Sequence, residues 1–142
     1  MSYSLSTSKA ILVVIFISDK IRQGMYEFLS TKVIAETLDI PRPTLVKILQ
    51  NLTIAGIVET KEGKQGGIRL AKKPSNITVL DVFKAQEIGK PLFQTSFQIP
   101  AVGKRPDAAQ KSVGELLVSA EEAMKKTLNT KKISDILDEM GA

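Results

Sequence analysis

Apolar residues in this chain recur at helical spacing almost throughout, except for one short stretch where they alternate as in strands. From Leu5 to about Arg22 they are dense enough for a buried helix, with Ser6 or Thr7 as its N-cap and Gly24 as its end. Met25 to Leu29 reads as a short extended connection. Ser30 and Thr31 then cap a helix over "KVIAETLDI", whose apolar face is Val33, Ile34 and Leu38 and which Asp39 closes. Pro41 and Pro43 bracket a turn and the first residues of the next helix, "TLVKILQNLTIAG", because proline is tolerated in a first turn. Leu45, Ile48, Leu49 and Leu52 make its buried stripe, and Gly56 supplies the stop.

Two helices joined by a tight turn form a helix-turn-helix. The period then changes. "IVETK" and "GIRLAKK" alternate apolar and polar residues, and "EGKQG" between them is a glycine-containing hairpin loop. A helix-turn-helix followed by a hairpin is a winged helix. In the second half, Thr78 with Asp81 three residues later marks a helix start, and Val79, Leu80, Val82 and Phe83 need a partner surface. Residues 89–106 hold three of the six prolines and read as a long loop, made apolar by Phe93, Phe97, Ile99 and Val102. Those side chains either wall a small-molecule pocket or pack against the helix that follows. From Asp107 the pattern is helical, with Val113, Leu117, Ala120, Met124 and Leu128 near the heptad spacing. Such a stripe serves either as intramolecular core or as a dimer seam. A last helix from Lys131 to Met140 puts Ile133, Ile136, Leu137 and Met140 on one face.

Charge changes the picture most. The net charge is +5 over 142 residues, and it is not spread evenly. Between Pro41 and Lys73 stand seven cations (Arg42, Lys47, Lys61, Lys64, Arg69, Lys72, Lys73) against Glu59 and Glu62. That segment alone carries the whole excess, since the remaining 13 cations and 13 anions cancel. Concentrated positive charge on a helix-turn-helix and hairpin is the footprint of a polyanion. The glycines at 63, 66 and 67 allow positive φ and a close backbone approach to phosphate, with Lys64, Gln65 and Arg69 supplying contacts.

Composition narrows the chemistry. There is neither cysteine nor histidine, so no disulfide, no thiol chemistry and no imidazole base or ligand is on offer. Paired catalytic carboxylates, phosphate-binding Gly-Lys-Ser/Thr and nucleophile motifs are also missing, which speaks against an enzyme. No catalytic or metal-ligating residue is assigned. The apolar run Ala10 to Ile17 is too short to span a bilayer. It leads into Ser18 to Gln23 without a small-residue cleavage site, so a cytoplasmic protein off the membrane is expected.

"LSTSK" at Leu5 to Lys9, "IAETLDIPRPTLVKILQNLTIAGIVET", "GKQGGIRLAKKP" and "ITVLDVFKAQE" occur in an order that resembles the Rrf-type winged-helix transcription regulators, the IscR/NsrR/CymR family. The most specific part is Gly63, Gly66, Gly67, Leu70 and Ala71, followed by Pro74, Ile77, Thr78, Asp81 and Val82. The resemblance implies a mainly α fold with a small β-hairpin wing. It implies a DNA-binding domain over residues 1–76 and dimerisation helices over 77–142, with the apolar loop 89–106 between them. It further implies a bacterial homodimer, in function a repressor on an inverted-repeat operator in double-stranded DNA. The recognition-helix start falls on Arg42, Pro43, Thr44, Val46 and Lys47, where this chain departs from the serine- and tyrosine-containing pattern of many members. Thr44 and Lys47 are then read as base contacts, Arg42, Lys9 and Lys64 as phosphate contacts, and Gly66 and Gly67 as the wing along the backbone. Val113, Leu117, Ala120, Met124 and Leu128 take the dimer seam. Cluster-binding members carry three cysteines in the loop where this chain has none, so no iron–sulfur cofactor is expected, and a small-molecule or protein effector would have to act instead. The competing expectation is a winged-helix protein–protein interaction module that does not bind DNA.

Overall fold

The computed structural model describes residues 3–87, 91–93 and 99–141. Along the chain run α1 (Tyr3–Arg22), α2 (Thr31–Leu38), α3 (Arg42–Ile54), β1 (Val58–Lys61) and β2 (Gly67–Leu70). A short 3-10 turn (Pro74–Asn76) follows, then α4 (Val79–Gln86), α5 (Lys104–Leu128) and α6 (Ile133–Met140). The expected mainly helical fold with a two-stranded wing is the observed one.

Ala10, Val13, Val14 and Ile17 of α1 are wholly buried at i, i+3, i+4 spacing, which makes this helix the axis of the core. It starts earlier than expected. Ser6 and Thr7 lie inside it rather than capping it, and the Thr7 hydroxyl donates instead to Glu87 at 3.3 Å. Ser30 does cap α2, its hydroxyl accepting the Val33 N–H at 3.1 Å. Asp39 ends that helix in the left-handed region (φ 51°), a conformation short polar side chains tolerate, and the reversal drops Ile40 into the core. Leu45, Ile48, Leu49 and Leu52 of α3 are buried as their spacing predicts.

The connection before α2 has a role its sequence did not announce. Leu29 pairs with Ile68 of β2 in both directions, its N–H donating to the Ile68 carbonyl (2.8 Å) and its carbonyl accepting from the Ile68 N–H (2.7 Å). A one-residue third strand thereby anchors the hairpin, whose register sets Val58 opposite Leu70 and Lys61 opposite Gly67. Gly67 sits under this closure at φ 150°, where an added Cβ would lie 2.5 Å from the Leu29 carbonyl oxygen. The strand ends at Leu70, short of the expected Lys73.

A second closure ties in the C-terminal helix. The Ile133 N–H donates to the Ile77 carbonyl (2.8 Å) and the Val79 N–H to the Lys131 carbonyl (2.9 Å). Thr78 and Asp81 form the expected capping box of α4. Ile77, Val82, Ala85, Ile133 and Leu137 consequently join the same core cluster as Ala10, Ile34 and Leu52, so the core runs across position 76. Ile133 and Leu137 are buried, whereas Met140 on the same expected face is exposed. Helix α5 buries none of its residues and packs on α4. It starts at Lys104, before Asp107, which shortens the expected loop; residues 89–90 and 94–98 of that loop, Phe97 among them, lie outside the described residues.

Replacing Gly67 with Ala should cost about 2 kcal/mol or more, because the Cβ meets backbone that cannot swing away. Thermal unfolding checks this; an unchanged midpoint would mean the Leu29 closure is dispensable.

Candidate nucleic-acid interface

Because α3 turns Leu45, Ile48, Leu49 and Leu52 inward, its opposite side presents Arg42, Pro43, Val46 and Lys47 to solvent. Thr44 is half-buried. The same exposed side continues with Gln50, at i+3 from Lys47 and i+4 from Val46, a residue absent from the sequence-based set. Its amide offers the paired donor and acceptor that suit an adenine edge. Helical spacing alone from Val46 would have found it. At the start of α3, Pro41 offers no side-chain cap and the first turn has no acidic residue. The leading N–H groups and the helix dipole therefore favour an anion there.

Helix α3 is held from behind by α4. Asn51 Nδ2 donates to Gln86 Oε1 (3.2 Å), and Gln86 Nε2 donates to the Ile48 carbonyl (3.3 Å). Since α4 also carries α5, the exposed face of α3 is fixed in angle to the long helix.

At the wing, Lys64 and Gln65 are exposed at the hairpin tip. The neighbouring glycines answer to the hairpin itself. A Cβ on Gly66 would stand 2.0 Å from the Lys61 carbonyl oxygen, and Gly67 makes room for Leu29. Arg69, expected to supply a phosphate contact, is engaged within the chain. Its Nε lies 2.5 Å from Glu59 Oε1, Nη1 is 4.0 Å from Glu27, and the guanidinium covers the Phe28 ring at 4.5 Å. Those partners commit Arg69 to the hairpin base. Lys61 extends over the same ring at 5.5 Å. Lys9 is half-buried on α1, distant in sequence from both the turn and the wing.

Arg69 is the one cation of the seven in this segment that takes part in an ion pair among the described residues. Arg42, Lys47, Lys61, Lys64, Lys72 and Lys73 are all exposed and keep their charge uncompensated by a carboxylate partner there. Elsewhere Arg22, Lys125 and Lys131 are paired with Asp19, Glu121 and Glu139. The positive excess seen in the sequence is thus a surface of the folded chain, spread over α3, the hairpin and the residues that follow β2.

The profile of the Rrf2 family, described as an iron-dependent transcriptional regulator, matches residues 3–139. The chain belongs to the Rrf2 family. Rrf2 relatives include the HTH-type transcriptional regulator NsrR of Bacillus subtilis, 37% identical over 81 residues, which are 57% of this chain and 53% of that protein. Protein aau3 of Rhizobium meliloti is 48% identical over 54 residues, 38% of this chain and 35% of its own length. The matching stretches thus span about a third to a half of these relatives. Among solved structures, T. potens IscR superposes with a TM-score of 0.67 at 22% identity, covering 95% of this chain and 85% of that one. CymR, the global cysteine regulator of B. subtilis, gives 0.65 at 20% identity, with 94% of each chain covered. At those identities the likeness is one of fold. The family is one of transcriptional regulators rather than enzymes, and no described helix is long and apolar enough to cross a membrane.

Two of the wing's three cations, Arg69 and Lys64, should separate in a stability assay. Arg69→Ala should destabilise the protein by about 1 kcal/mol, because it removes the Glu59 pair and the stacking on Phe28, while Lys64→Ala leaves the unfolding midpoint where it was. Equal effects would contradict the assignment of Arg69 to the hairpin base.

Proposed function

We propose that this Rrf2 protein is a cytoplasmic repressor that binds an inverted-repeat operator in double-stranded DNA as a homodimer. The observation that carries the reading is the set of four cations on α3 and the wing (Arg42, Lys47, Lys61 and Lys64) that have no ion pair among the described residues, beside an uncapped helix start. Lys47 and Gln50 are assigned to base edges in the major groove, with Val46 against an apolar edge. Arg42 and Lys64 are assigned to phosphates, whose contacts position the protein without reading sequence. A protein-interaction module has no physical need for such a concentration of unpaired cations.

The second copy is assigned to α5. Val113 is 50% exposed and Leu116 68% exposed, and with Ala120 they fall at i, i+3, i+7 on one outward side. Leu117, Met124 and Leu128 of the expected seam are half-buried within the chain, so Leu116 replaces them at the centre of the interface. In such a dimer α5 sets the separation of the two α4–α3 units, and hence of the two recognition helices.

The family profile speaks of iron, which raises the question whether this chain's donors suit an iron centre. They do not. It has no cysteine and no histidine, and among the described residues no group of three or more carboxylates is placed to hold a metal. Carboxylates alone are hard ligands, poorly matched to an iron–sulfur cluster. Our reading is a member that senses without the cluster. Leu92 and Ile99 of the preceding loop bear on α5: the Leu92 N–H donates to the Glu121 carboxylate, and Ile99 lines a cavity of about 410 Å³ with Pro106, Val113 and Leu117.

Duplex DNA should bind with an affinity that falls steeply as salt rises. Lys64→Ala should weaken all sequences alike and make the salt slope shallower by about one, whereas Lys47→Ala should also alter sequence preference. No duplex binding at low salt would favour the interaction-module reading instead. Leu116→Glu should yield monomers by sedimentation; a full-length wild-type monomer at micromolar concentration would contradict the assigned interface. Purified without oxygen, with iron and sulfide supplied, the protein should stay colourless and keep its DNA affinity in nitric oxide. A visible cluster absorption band would refute the ligand argument.

A further inference from the structure

At the base of the wing, a cavity of about 510 Å³ opens between α1, β2, the 3-10 turn and α6. That volume falls in the range of small-ligand pockets, about 300–1,000 Å³. Its walls are largely apolar, from Ile21, Leu70, Pro74 and Leu137. Three serines, Ser18, Ser75 and Ser134, interrupt that surface. Ser18, 4% exposed, lines the cavity with a buried hydroxyl that has no hydrogen-bond partner among the described residues. Buried hydroxyls are almost always paired, so one left without a protein partner in a cavity wall is completed by a water or by a ligand atom.

The charged lining is unequal. Arg22, Arg69 and Lys73 stand against the single carboxylate of Asp138. Arg22 and Arg69 are each held by a carboxylate of their own, Asp19 at 3.0 Å and Glu59 at 2.5 Å, whereas Lys73 has no ion-pair partner among the described residues. The cavity therefore combines an apolar body, a buried hydroxyl and one uncommitted ammonium group.

We propose that this cavity is a regulatory site for a small organic acid with an aliphatic or aromatic body. The apolar walls take the body, the Ser18 hydroxyl donates to a polar atom of the ligand, and Lys73 holds the carboxylate. Arg69 and Leu70 belong to β2, so an occupant bears on the base of the wing and ties it to α1 and α6. Binding then stiffens the base of the wing whose tip carries Lys64. This effect on DNA rests on the operator reading; the binding itself does not.

The test titrates the isotope-labelled full chain with hexanoate and phenylacetate, and separately with hexanamide and phenylacetamide, following backbone amide shifts by NMR. The carboxylates should produce saturable shifts centred on Ser18, Ile21, Leu70 and Ser75, and bind at least about tenfold more tightly than the amides. Lys73→Gln should remove that preference and leave amide binding alone. Ser18→Ala should weaken both classes without loss of fold, which the spectrum itself reports. Shifts that do not saturate, that centre on α5, or that are equal for acids and amides would overturn the proposal. Operator affinity, measured in parallel with and without phenylacetate, separates the two readings. A chain that ignores DNA yet takes the acid here keeps the site and loses the operator, and one that binds DNA but no acid does the reverse.

Discussion

Two hydrogen bonds between Leu29 and Ile68 hold the wing to the rest of the chain. A two-stranded hairpin is marginal in water, and this one has only four residues in each strand. Its stability comes from the third strand position that Leu29 supplies, from Val58 and Ile68 buried in the core, and from Arg69 fastened to Glu59 across the ladder. Leu29 is also the residue before the Ser30 cap of α2. The hairpin and the helix-turn-helix are therefore fixed to each other at adjacent residues, and the angle between wing and α3 is a property of the fold. Gly67 is the condition for it, since any side chain there would collide with the Leu29 carbonyl.

The same arrangement explains which cations are free. Arg69 stands where the hairpin needs a cross-strand partner, so its guanidinium is drawn to Glu59 and Phe28. Lys64 stands where the hairpin turns, exposed and without a carboxylate partner among the described residues. On α3 the burial of one apolar stripe leaves Lys47 and Gln50 on the outward side, facing solvent. Positive charge without partners raises the energy of the isolated fold slightly, and a polyanion relieves it.

What was legible in the sequence was local. The stripe of α3, the Ser30 cap, the Thr78–Asp81 box and the hairpin loop each depend on residues a few positions apart, and all appear as expected. What was hidden depended on distant pairing. Leu29 gives no strand pattern because one residue has no period, and its partner Ile68 lies far along the chain. The role of Gly67 follows from that pairing, as the commitment of Arg69 follows from the register that sets it opposite Glu59. In α5 a heptad count could not tell which side α4 covers, so Leu117, Met124 and Leu128 of the expected seam are half-buried within the chain while Leu116, outside that count, is exposed. Gln50 was hidden for a simpler reason: it lies two turns into α3, beyond the helix start to which the family pattern assigns contacts.

If the exposed side of α3 and the wing form one rigid reading surface, doubled by a two-fold axis through α5, the bound sequence must carry that symmetry. Selection of bound fragments from random duplex DNA with the full-length chain tests this most directly. The account predicts an enriched inverted repeat with half-sites about one helical turn apart, recovered without iron or reductant. A pool no richer in any sequence than its starting library, or a single asymmetric site, would contradict it.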